Sequence, residues 1–96
     1  MSRLDVIRAT LTQALSPVYI DVVDESHKHV GHEGARDGRG HFAVTIASAG
    51  FIGFAMLARH RMVYSALGDL MTTEIHALSI SALTPDEAKA RALTAN

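Results

Sequence analysis

Three short alternating runs limit what this chain can build. Val18, Ile20 and Val22 share one side of a run from 18 to 24, and Phe42, Val44 and Ile46 share one side of a run from 41 to 47. His76, Leu78, Ile80 and Ala82 do the same in the run from 75 to 83. A period of two marks a strand with one buried face. β-branched residues, which favour a pleated half-buried surface, are frequent in all three. The chain can therefore supply a three-stranded sheet, and the remaining segments must cover it.

Those segments read as helices. Leu4, Ile7, Leu11, Ala14 and Leu15 recur at steps of three and four, the spacing of one helix face. Ser2 is placed to cap that helix, with Asp5 three residues on. Ser16-Pro17 ends it, because the residue before proline is pushed out of the helical region. Residues 55–71 are helical in composition, and Gly68 breaks or kinks them. Thr84-Pro85-Asp86-Glu87 is a helix start: a capping threonine, proline in the first helical position, and a glutamate that closes a capping box. The order is α-β-β-α-β-α. It predicts an α+β fold, a three-stranded sheet with helices packed on one side, as one domain over residues 1–96. The first two strands form a hairpin whose tip is the histidine- and glycine-rich segment 26–40, a loop of about fifteen residues, long for a compact domain.

Composition removes several classes of function. There is no cysteine, so disulfides, thiol catalysis and a cluster held by this chain's own thiolates are excluded. Nine Lys/Arg against ten Asp/Glu give a net charge of −1, so no global basic field draws in nucleic acid or anionic lipid. No apolar run approaches the length of a membrane span. The N-terminal MSRLDVIRATL carries charges within its apolar run, unlike a signal peptide. A cytoplasmic address is expected. Neither a phosphate loop followed by lysine nor a G-x-S-x-G elbow is present, and the expectation is a binding protein that is not an enzyme.

Three constellations carry chemistry. The first is histidine: six in the chain, with His27, His29, His32 and His41 close together and His60 and His76 apart. Neutral imidazole is a good ligand for iron, zinc or copper; the alternative is a solvated polar loop. His76 falls at the mouth of its strand, where it is either a ligand or a hydrogen-bonded residue half in the core. The second is the basic cluster Arg59-His60-Arg61 near the start of a helix. Positive charge there opposes the helix dipole unless a phosphate, a partner's carboxylate or an internal acid lies nearby. The third is Gly50-x-x-Gly53, the spacing of the loop with which KH domains clamp a nucleic-acid backbone. Phe51 and Ile52 between the glycines suit entry to a core better than a clamp.

Taken in order, Asp24-Glu25-Ser26, a histidine-bearing loop, His41-Phe42, Phe51-x-Gly53, Arg59-His60-Arg61-Met62-Val63-Tyr64 and Ile75-His76-Ala77-Leu78 closely resemble the BolA family, from about residue 4 to residue 91. The resemblance implies a fold related to the class II KH domain. It also implies a heterodimer with a monothiol glutaredoxin that shares a [2Fe–2S] cluster, with the glutaredoxin cysteine and glutathione supplying thiolates. On this chain the implied metal ligands are His76 and a loop histidine: His29, three residues after Ser26, with His32 as competitor and His27 still open. Arg59, His60 and Arg61 are the candidate partner-binding residues. The isolated chain is expected to be a monomer or a weak homodimer. Two imidazoles in place of two thiolates give Rieske-like ligation, which raises the reduction potential and lets acid release the cluster. Some relatives are DNA-binding transcription regulators. That alternative places Gly50, Gly53, Arg59 and Arg61 against nucleic acid.

Overall fold

A computed structural model describes residues 2–26 and 39–93. The elements follow the expected order: α1 (Arg3–Leu15), β1 (Tyr19–Asp24), β2 (Gly40–Ala47), a 3-10 turn (Ala49–Phe51), α2 (Met56–Leu67), α3 (Leu70–Thr73), β3 (Ile75–Leu83) and α4 (Pro85–Ala90). Local chemistry sets their ends. Ser2 Oγ accepts from the Asp5 amide at the start of α1, and Ser16 closes that helix in the left-handed region at φ 45°. Gly68, at φ 55°, separates α2 from α3, so the helical stretch from 55 to 71 is two pieces. Thr84 and Glu87 form the reciprocal capping box of α4, with Pro85 in its first turn.

The strand order is β1-β2-β3. β1 and β2 pair antiparallel, from Tyr19 opposite Ala47 to Asp24 opposite Phe42. β2 and β3 run parallel, because the chain crosses over through α2 and α3 before returning. Val22, Phe42, Val44, Ile46 and Ala82 face α1 and α2, which contribute Ile7, Leu11, Val63 and Leu67 to the same core. Each of the larger side chains contributes about 1.5–3 kcal/mol on burial. A smaller second cluster joins Ala47, Leu83 and Ala88, with Tyr19 and Leu93 packed against it. Its strand residues have the opposite parity, so α4 packs on the other face of the sheet from the core beneath α1 and α2.

One polar side chain ties the layers. Buried Ser48 donates to the Leu15 carbonyl at 2.6 Å and accepts from the Gly50 amide at 3.1 Å. It thereby satisfies a carbonyl at the end of α1 that the helix itself cannot pair. At the other end of β2, a Cβ on Gly40 would lie 2.6 Å from the ring of Phe42 and 2.9 Å from Ser26 Oγ. Gly40→Ala is therefore expected to destabilise the fold by about 1–3 kcal/mol, as overpacking does. Urea denaturation would show a lower midpoint at unchanged slope. An unchanged midpoint would mean that this strand end can yield.

Candidate metal-ligating site

Short polar side chains hold the base of the histidine-rich segment closed. Asp24 Oδ1 accepts from the Ser26 amide at 2.9 Å, which aims Ser26 Oγ at the His41 amide, 3.0 Å away. The Glu25 amide donates to the His41 carbonyl at 2.7 Å, and the Gly40 amide to the Glu74 carbonyl at 3.0 Å. The end of β1, the start of β2 and the entry to β3 therefore form one hydrogen-bonded unit. His27, His29 and His32, the loop candidates, lie outside the described residues.

β3 enters this unit with a bulge. Gly40 pairs with Ile75 and His41 with Ala77, so His76 is passed over in the ladder. This corrects the simple alternation expected for residues 75–83. Ile75 is buried in the main core together with Ala82, and His76 is exposed instead of lying half in the core. The extra residue reverses parity at this point; bulges commonly re-aim a side chain beside a functional site. The ring of His76 packs against buried His41, with centroids 5.1 Å apart and planes tilted 46°. Arg39 Nη2 approaches His76 Nδ1 at 3.2 Å. The adjacency of His41 to His76 was not evident from spacing. The two residues meet across the parallel pairing, and only knowledge of that register reveals it.

The basic cluster divides. Arg59 is buried, and its guanidinium is committed within the fold: Nε donates to the Phe54 carbonyl at 2.8 Å, and Nη1 to the Ala82 carbonyl at 3.1 Å and to Glu87 Oε1 at 2.6 Å. This corrects the expectation that Arg59 faces a phosphate or a partner; the countercharge is Glu87 of α4. Glu87 has its carboxyl held below the usual glutamate range, first by the Thr84 backbone N–H and next by Arg59. His60 is half-buried, and its Nε2 has no hydrogen-bond partner among the described residues. Arg61 is exposed beside a shallow groove that Ala14, Met62 and Ser65 also line.

The Gly50–Gly53 turn is likewise occupied by its own bonds. The amides of Gly50, Phe51, Ile52 and Phe54 donate to Ser48 Oγ, Ser48 O, Ala49 O and Phe51 O. Gly53 is needed for its φ of 85°. Exposed Ile52, Phe54, Met56 and Leu57 surround the turn with apolar surface in place of charge.

The donor chemistry at the bulge is of a kind that binds metal. His76 offers an exposed imidazole with a second imidazole beside it, both of a type that iron accepts. No group of three or more His, Cys, Asp or Glu among the described residues could hold a metal ion.

The whole defines an α+β domain of three strands, an antiparallel hairpin followed by a parallel crossover, with a histidine raised on a bulge at its open end. The sequence profile described as BolA-like protein matches residues 11–87. "Protein BOLA1, chloroplastic" of Arabidopsis thaliana is 39% identical over 93 residues, which are 94% of this chain and 58% of that protein. This chain thus spans little more than half the length of that relative. "DNA-binding transcriptional regulator BolA" of Escherichia coli (strain K12) is 40% identical over 81 residues, covering 84% of this chain and 74% of that one. The solved "BolA domain of SufE1 from Arabidopsis thaliana" superposes with a TM-score of 0.79 at 40% identity, covering 91% of this chain and 96% of that domain. The chain belongs to the BolA family. Among its described residues no helix is long and apolar enough to cross a membrane.

Proposed function

We propose that this chain is an adaptor that docks on a monothiol glutaredoxin and contributes histidines to a shared [2Fe–2S] cluster, in assembly, trafficking or iron regulation. The observation that carries this reading is His76 on its bulge: an exposed imidazole held beside a second one in a chain without thiols. His76 is the first ligand. His29 or His32 supplies the second, from a segment that starts and ends at the hydrogen-bonded base described above. When bound, the cluster supplies a histidine-ligated iron with a raised potential. The residues of this chain orient the imidazoles and keep the strand ends in place. The proposed role is binding and presentation, with no reaction catalysed by this chain alone.

The nucleic-acid alternative has less support. Of its four residues, Arg59 is bound internally, and the turn between Gly50 and Gly53 pairs its own amides beneath apolar side chains. The test of the first reading is a titration of the chain into cluster-loaded monothiol glutaredoxin with glutathione, followed by visible absorption and circular dichroism. Conversion to a new spectrum at one chain per glutaredoxin is the expected result. An unaltered spectrum at saturating chain would overturn it.

A further inference from the structure

We infer that Arg39 is a latch on His76, holding the ring in a tautomer that cannot ligate until the latch is released. This rests on the cluster-sharing reading above. Arg39 Nη2 lies 3.2 Å from His76 Nδ1, and Nη1 lies 3.4 Å from the Thr72 carbonyl. A guanidinium has donors only and keeps its protons in proteins, so at this contact Nδ1 must accept. A neutral ring whose Nδ1 accepts carries its proton on Nε2. Both nitrogens are then closed to a metal: one by an arginine N–H, the other by its own hydrogen.

A neutral imidazole ligates through a bare nitrogen and keeps its proton on the other. Ligation through Nδ1 requires Arg39 to leave. Ligation through Nε2 requires that proton to pass through solvent to Nδ1, which again requires Arg39 to leave. Either route begins by breaking the Arg39–His76 contact. The polarity makes the point independently. A ligating histidine usually donates its second N–H to a carboxylate or carbonyl, whereas Arg39 offers a donor where an acceptor is wanted.

Position suits a latch. Arg39 stands near the end of the histidine-rich segment and immediately precedes the strand that carries His41. Its partner His76 is 37 positions away in sequence, on the bulge. Because the contact is solvent-exposed, it can open without disturbing the core.

Two measurements on the whole chain and its Arg39→Ala variant test this. The first is imidazole ¹⁵N spectroscopy of His76 without metal, at a pH where the ring is neutral. The chain should show a bare Nδ1 and a protonated Nε2, and the variant should shift toward the Nδ1–H form. The second is the rate of spectral change on mixing with cluster-loaded glutaredoxin. The variant should be about three- to tenfold faster, the range a net hydrogen bond spans, and should reach the same final spectrum. A protonated Nδ1 in the unaltered chain, an identical tautomer in both proteins, or equal rates would overturn the latch. If neither protein changes the cluster spectrum, the cluster-sharing reading has failed and the latch falls with it. That result is distinct from two proteins that take the cluster at the same rate.

Discussion

Arg59→Met is expected to lower the stability of the fold by about 2 kcal/mol, which for a domain this size lowers Tm by roughly 10 °C. Methionine keeps the length of the apolar stem but removes three hydrogen bonds. The decisive one goes to the Ala82 carbonyl, on a residue with no exposed surface, where a lost donor leaves a buried acceptor unpaired. The Phe54 carbonyl belongs to a half-exposed residue and can turn to water. Glu87 has a side chain that is 47% exposed, so it is rehydrated and no buried charge is stranded. Acid gives a second readout. The carboxyl of Glu87 is depressed in the folded chain, so its contribution is complete above the ordinary glutamate value of about 4.3 and is lost as pH falls through the lower folded value. The substituted chain should lose part of that acid dependence and keep the part due to the Thr84 amide, the larger cause. Thermal melts at neutral and acid pH check both. A Tm unmoved at neutral pH would show that water replaces the guanidinium at Ala82.

His76→Ala is expected to remove the histidine-ligated spectrum of the glutaredoxin complex while leaving the fold intact. The side chain is exposed on a bulge, so truncation should change stability by no more than about 0.5 kcal/mol. Loss of a partner one shell out from a metal costs roughly 10–100-fold in affinity, and removing a ligand should cost more. His29→Ala and His32→Ala should then differ: the true loop ligand shifts the spectrum, and its neighbour leaves it alone. His41→Ala is the useful contrast. Its ring is buried, so it should lower Tm as well as perturb the site. A His76→Ala complex with the parental spectrum would remove His76 from the ligand set.

Much of the architecture was legible because local chemistry and global fold agree. Ser2, Ser16-Pro17, Gly68 and Thr84-Pro85-Asp86-Glu87 mark helix ends, and the structure uses each of them. The hairpin followed from two alternating runs around a segment rich in glycine. Arg59 was misread because its countercharge lies 28 positions away, on a helix whose docking no local pattern reveals. A signal was nonetheless present: Arg59, Val63 and Leu67 fall at four-residue steps and are all buried, so the arginine stands in the apolar stripe of α2. The bulge at His76 was hidden for a different reason. A period of two cannot announce its own interruption when Ile75 and Leu78 are both apolar and either parity fits. The resemblance named His76, but spacing alone could not place His41 and Arg39 beside it.

The parallel pairing of β2 with β3 also has a consequence for timing. His41 and His76 meet only after the crossover has closed, and contacts between distant parts of a chain form late because loop-closure entropy must be met first. The hairpin of β1 and β2 can assemble locally; the imidazole pair cannot. Two histidines presented together therefore certify that the chain is fully folded. A nascent or partly unfolded copy, with the same six histidines, could not present this arrangement. The pairing of the two imidazoles is thus a mark of the completed scaffold.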